Sequence, residues 1–221
     1  MPVNKKYTAV FEFDKIYRIY NKTNNRELLF RTDENYYYFL RQYNQYISPF
    51  VETYAWNLLP NHFHFIIRIK PEAAITSFLT ALAIENRTKT EQHFLSDQDI
   101  NKLIEMTFKR FFISYAMAFN LMFKRTGNLF YRTFNRVEIL KDSHFTHALV
   151  YVHANALKHK LVKEFTSYPW TSYHNIISDK PTKLLRDELI EWFGSKALFI
   201  KIRKDMSDYY YDFPGAIEDD D

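Results

Sequence analysis

His62 and His64 are separated only by Phe63, inside the alternating run His62–Ile69 (HFHFIIRI). In a strand, residues i and i+2 project from the same face, so both imidazoles leave the sheet together while Phe63 turns to the core. Two imidazoles side by side are half of a metal site. A pair of surface histidines on a half-covered strand has the same spacing. The chain has no cysteine, so a further ligand or a nucleophile must come from Ser, Tyr, an amide or water. Tyr151 and Asn155 lie four residues apart in a candidate helix, hence on one helix face. Asn155 can offer an amide oxygen to a hard cation, with the Tyr151 phenol beside it. The same Tyr-x-x-x-Asn spacing recurs at Tyr17/Asn21, Tyr20/Asn24 and Tyr131/Asn135. By spacing alone, Tyr151 reads more readily as an ordinary helix aromatic than as a nucleophile.

These groups need elements to hold them. Ile16–Tyr20 (IYRIY) alternates and precedes the turn-forming NKTNNRE, which reads as a strand. Asp33 to about Tyr46 reads as a helix with Tyr37, Phe39, Leu40 and Tyr43 buried, and Pro49 just beyond its end. Val51–Leu59 and His62–Ile69 read as a hairpin around Pro60-Asn61. Pro71–Leu82 begins a second helix, the polar stretch 85–101 reads as a loop, and Ile104–Phe123 reads as a long Phe-rich helix. Phe134–Leu140 is a candidate strand, and Ser143 caps a helix through Leu157. The order β-α-β-β-α-β-α predicts an α+β fold, a ferredoxin-like (βαββαβ) antiparallel sheet with helices on one face. A domain over residues 1–175 is expected, then a helical extension over 176–221 with helices near Lys183–Phe193 and Leu198–Met206.

Composition narrows the class. With 221 residues, 47% hydrophobic and 25% charged, the chain is long enough for a substantial core and is not of disordered type. The absence of cysteine excludes disulfide scaffolds, thiol nucleophiles and zinc ribbons, and fits a reducing compartment. Three glycines leave no phosphate-cradling loop. No signal-like leader opens the sequence, and the most apolar stretch, Ala73–Ile84, is too short for a bilayer. A cytoplasmic protein without membrane association is the expectation. Aromatics form 19% of the chain, to be divided between core and surfaces on which bases could stack. Residues 101–170 carry 11 Lys and Arg against 4 Asp and Glu, +7, whereas 171–221 carry 7 against 11, −4, ending in EDDD. The basic middle permits a polyanionic partner. Lys124, Arg125, Arg132 and Arg136 are its candidate phosphate contacts, with a solvated basic surface as the plainer reading. The acidic tail is expected to be disordered.

The run Tyr54–Arg68, YAWNLLPNHFHFIIR, resembles the signature Y-x-x-[ML]-P-N-H-x-H of the single-tyrosine HUH transposases, specifically the REP-associated and insertion-sequence-like tyrosine transposases. Four further blocks agree in order: Asn24–Leu40; Phe111–Ile139 (FFISYAMAFNLMFKRTGNLFYRTFNRVEI); Tyr151–Val162 (YVHANALKHKLV); and Tyr168–Tyr173 (YPWTSY). The likeness spans about residues 15–175. It implies an enzyme that cleaves and rejoins single-stranded, hairpin-bearing DNA through a 5′-phosphotyrosine. Tyr151 would be the nucleophile, with His62, His64 and Asn155 the ligands of Mg²⁺ or Mn²⁺. A homodimer, with the tyrosine acting in its own subunit or its partner's, is left open. So are a domesticated relative that binds hairpin DNA without cutting and a ferredoxin-like RNA-binding module. The family's Asn-Pro-Val-x-x-Gly is here Asn155-Ala156-Leu157-Lys158-His159-Lys160. Without the Pro and the Gly, the helix is expected to run on past its usual stop.

Overall fold

The computed structural model describes residues 8–131 and 133–212, of which 207–212 are described as backbone only. Four strands, β1 (Ile16–Lys22), β2 (Val51–Leu59), β3 (His62–Ile69) and β4 (Asn135–Glu138), form one sheet in the order β2-β3-β1-β4. Every neighbouring pair is antiparallel. The sheet carries α1 (Asp33–Tyr46), α2 (Glu72–Ala81), α3 (Lys89–Asp97), α4 (Ile100–Met122), α5 (Asp142–Lys158), α6 (Tyr173–Ile177), α7 (Arg186–Trp192) and α8 (Lys196–Asp212). This is the expected α+β, ferredoxin-like arrangement with C-terminal helices. Among the described residues no helix is long and apolar enough to cross a membrane.

The period-2 pattern of the strands assigns the two faces. Tyr17 and Ile19 of β1 and Phe63, Phe65 and Ile67 of β3 point to one side, where α1 and α4 cover them. Most of the aromatic excess is packed there. Tyr43 stacks flat on Phe65 at 4.3 Å between centroids, and Phe39 meets Phe63, Phe111 and Tyr115 within 5.2 Å. Buried phenols need partners, and they have them: Tyr17 donates to the Val10 carbonyl (2.7 Å), Tyr115 to that of Leu29 (2.8 Å), and Tyr43 meets Thr53 Oγ1 (2.8 Å).

The opposite face carries Arg18, Tyr20 and Lys22 of β1 against Ile66, His64 and His62 of β3. Here α5 lies over β2 and β3, packing Ala148, Leu149 and Val152 around Tyr54, Ala55 and Ile66. The Asn57 amide donates to the Val152 carbonyl at 2.7 Å, anchoring the helix to the sheet. Leu189, Phe193 and Phe199 of α7 and α8 complete this second core. Arg68 ties α7 to β3 through two bonds to Glu188, at 2.8 and 2.9 Å.

Two local expectations change. The stretch 85–101 contains a helix, α3, because Thr88 and Glu91 form a capping box: Thr88 N donates to Glu91 Oε2 at 2.6 Å and Glu91 N to Thr88 Oγ1 at 3.3 Å. Polar composition hid that Thr-x-x-Glu signal. The second change is at the end of α5. The helix stops at Lys158 although the family's Pro and Gly are both missing. Lys160 N donates to the Leu157 carbonyl (2.9 Å) and Leu161 N to that of Ala156 (3.0 Å), the two bonds of a Schellman stop. Lys160 adopts the left-handed conformation, φ 57°, where glycine ordinarily stands. The EDDD tail lies outside the described residues, as does Arg132.

Candidate active site

The β3 alternation places His62 and His64 on the α5 side of the sheet, with ring centroids 5.3 Å apart and planes nearly perpendicular. His64 is buried, and His62 is partly exposed at the rim. Burial, with His159 and His64's own neighbourhood of cations, disfavours protonation. His62 is pushed down to about 3, mostly by burial and then by His159, with Asn155 opposing the shift. His64 is held well below the ordinary imidazole range by burial, then by His62 and Arg18. Both rings are therefore neutral at pH 7, the form that ligates metal. Asn61 Oδ1 accepts from His62 Nδ1 at 2.7 Å, which leaves the lone pair on Nε2.

The α5 helix supplies the other wall. Tyr151, Asn155 and Lys158 follow at i, i+4 and i+7, so they form one stripe of the helix. Tyr151 stands edge-on to His64, centroids 5.7 Å apart at 85°. Asn155 is fully buried beside His62, and neither its Oδ1 nor its Nδ2 makes a hydrogen bond of ordinary geometry; the same holds for both ring nitrogens of His64. Buried polar atoms are ordinarily satisfied, so unsatisfied ones ask for a reason. Two neutral imidazoles and an amide oxygen suit a divalent cation of the Mg²⁺ or Mn²⁺ kind. Among the described residues no three His, Asp or Glu side chains are grouped to hold a metal. Beside the histidines, the Asn155 amide is a buried oxygen that could serve as a further donor, and the His159 ring lies 4.8 Å from that of His62.

The structure brings Tyr151, His62, His64 and Asn155 together, on two elements separated by more than seventy residues of sequence. The basic candidates fare differently. Lys124, exposed after α4, has a left-handed φ of 51°. Arg125 is committed to Glu27, with bonds of 2.7 and 2.8 Å, and to the carbonyls of Gly127 and Asn128. Arg136 pairs with Ile19, on the sheet face opposite the histidines, where it is buried against Phe11 and bonded to Glu105 and the Ala9 carbonyl. Neither guanidinium is brought to the histidines. His153, also on α5, is a buried partner of Ser172 Oγ at 2.8 Å and packs on Tyr173 and Phe199.

Sequence reading passed over four residues that the fold places at the site. Arg18, Tyr20 and Lys22 alternate in IYRIYNK and share the histidine face, Tyr20 stacking on His64 at 5.6 Å and 27°. Their period-2 spacing was the available signal. Arg18 lies 4.7 Å from the Tyr20 ring centroid and 5.2 Å from that of Tyr151. Lys158 is the fourth, with Nζ 3.4 Å from the Tyr151 hydroxyl. Its i+7 relation to Tyr151 was legible once the helix was assigned.

Comparison with solved structures finds a REP-associated tyrosine transposase bound to a REP hairpin, at TM-score 0.55 and 16% identity, covering 82% of this chain and 89% of that one. The two share a fold. At that identity the likeness speaks for the architecture and leaves the chemistry to the site. No protein-family model matches the sequence, and no curated protein matches it.

Proposed function

We propose that this protein cuts and rejoins single-stranded, hairpin-bearing DNA, with Tyr151 as nucleophile and His62, His64 and Asn155 holding Mg²⁺ or Mn²⁺. The observation that carries this reading is the meeting of a phenol, two neutral imidazoles and an unsatisfied buried amide on one sheet face. The fold shared with a transposase bound to a hairpin supports the choice of DNA as substrate. A cytoplasmic location goes with it.

When bound, the cation supplies a Lewis acid for the scissile phosphate and the departing 3′ oxygen. The chain's own residues do the rest. Asn61 fixes the His62 tautomer and ring. Arg18 and Lys22 present positive charge on the histidine face, where a phosphate must lie. The Tyr151 oxygen attacks phosphorus: the Oη–P bond forms, the P–O3′ bond breaks, the phenol proton passes to solvent, and the departing 3′ oxygen takes a proton from solvent to become a hydroxyl. The energy of the phosphodiester is kept in the phosphotyrosine, so a second 3′ hydroxyl can reverse the step.

The test is incubation with a hairpin carrying single-stranded flanks and Mn²⁺ or Mg²⁺, followed by a search for a covalent protein–DNA band. A metal-dependent band that Tyr151→Phe abolishes is expected. Tight hairpin binding without a band overturns the cleavage reading in favour of a binding protein. Preference for RNA of the same sequence overturns the choice of DNA.

A further inference from the structure

Lys158 occupies the last turn of α5, seven residues after Tyr151 and three after Asn155. Helical side chains lean toward the N-terminus of their helix, so a residue two turns later reaches back over the earlier one. Lys158 does so: its Nζ lies 3.4 Å from the Tyr151 hydroxyl and 5.0 Å from the ring centroid. The Schellman stop explains why the lysine sits here. With Lys160 left-handed, the helix ends at Lys158, where the helix dipole favours a cation. On the other side, Arg18 stands 5.2 Å from the same ring. Tyr151 itself is buried, 1% exposed, so the groups around it fix where its hydroxyl stands.

We infer that Lys158 is a positioning residue for the attacking oxygen. Its ammonium donates to the Tyr151 hydroxyl, holding it in place, and presents positive charge where the phenolic oxygen loses its proton and the phosphate arrives. This inference rests on Tyr151 being the nucleophile. It adds a residue beyond the paired histidines and the Tyr-x-x-x-Asn pair that suggested the site, one further turn along the same helix stripe. A lysine that merely covers the helix end, or that merely attracts DNA, predicts different kinetics.

The experiment compares wild type, Lys158→Met and Lys158→Arg in single-turnover cleavage of a flanked hairpin with Mn²⁺. Affinity for the same DNA is measured by fluorescence anisotropy. Methionine keeps the stem and its packing while removing the charge and the donor. At saturating DNA, Lys158→Met is expected to form the adduct at least tenfold more slowly, with affinity changed less than threefold, and Lys158→Arg to recover most of the rate. A Met variant as fast as wild type at saturating DNA overturns the role. A loss confined to affinity also overturns it and makes Lys158 a plain phosphate contact. If wild type forms no adduct, the cleavage reading fails first and takes this inference with it. If wild type cuts and the Met variant cuts equally, only the inference fails.

Discussion

Tyr151 meets the buried imidazole of His64 edge to face, 5.7 Å between centroids, although the two residues belong to different elements and are 87 positions apart in the chain. The contact exists because β3 presents every second side chain toward α5, and because Val152 and Ala148 pin that helix to the sheet from below. Everything chemical proposed for this protein depends on that pairing.

Replacement of Tyr151 by Phe keeps the ring, its packing on His64 and the neighbouring cations. It removes one oxygen and its long bond from Lys158 Nζ, so the folding free energy is expected to change by no more than about 1 kcal/mol. The adduct should vanish while hairpin binding persists. Denaturant unfolding and a denaturing gel measure the two quantities on the same preparations. An adduct that survives in the variant assigns attack to another tyrosine.

Asn155→Ala separates function from stability. The unsatisfied amide contributes nothing to the metal-free fold through hydrogen bonds, and burying it costs free energy. Metal-free stability should therefore fall by less than about 1 kcal/mol, against the several typical of a damaging core change. Wild type with Mn²⁺ at a hundred times its Kd should gain about 2.7 kcal/mol. Asn155→Ala and His64→Ala should lose that gain. Thermal unfolding with and without Mn²⁺ decides the matter, and an unchanged gain in both variants removes these residues from the ligand set.

Acid should unfold this protein earlier than its carboxylates alone would suggest. Burial holds His62, His64 and His153 below the ordinary imidazole value, His62 at about 3. Their stabilisation is fully present above the unfolded value near 6.5. Below it, the unfolded chain binds protons that the folded chain refuses. Each histidine then subtracts up to about 1.4 kcal/mol per pH unit, down toward its folded value. Urea midpoints at pH 7, 6 and 5 test this. A flat profile from 7 to 5 contradicts it.

Lys160→Gly should stabilise the fold. A left-handed non-glycine residue costs about 1–2 kcal/mol, and the greater freedom of glycine in the unfolded chain returns about half of that. A net gain of roughly 0.5–1 kcal/mol in chemical denaturation is expected. A loss would show that the Lys160 side chain makes a contribution beyond its backbone.

The two basic groups should separate by salt dependence. Lys22 faces the histidine side, in register with His62, while Arg136 is engaged with Glu105 on the other. Lys22→Ala should lower the slope of log affinity against log salt for single-stranded DNA by about 0.7, one phosphate contact. Arg136→Met should leave that slope unchanged and lower stability instead. Anisotropy titrations between low and moderate salt measure the slopes.

Much of this was written in the sequence as periodicity. HFHFIIRI alternates because one face of the strand packs on α1 and α4, and that alternation alone sets His62 and His64 on a common side. The long Phe-rich helix declared itself by its apolar stripe, and Tyr151 and Asn155 by their four-residue spacing. What periodicity cannot carry is which surfaces meet. Arg136 and Arg18 are both basic residues on neighbouring strands, yet the β1–β4 register sends one to Glu105 and the other to Tyr151. The end of α5 depended on backbone hydrogen bonds that a lysine can also complete, so the missing glycine misled. Composition and spacing act locally, within a turn or a strand. The unsatisfied Asn155 amide, the neutral histidines and the reach of Lys158 to Tyr151 arise only when burial and long-range packing bring distant segments into one low-dielectric cleft.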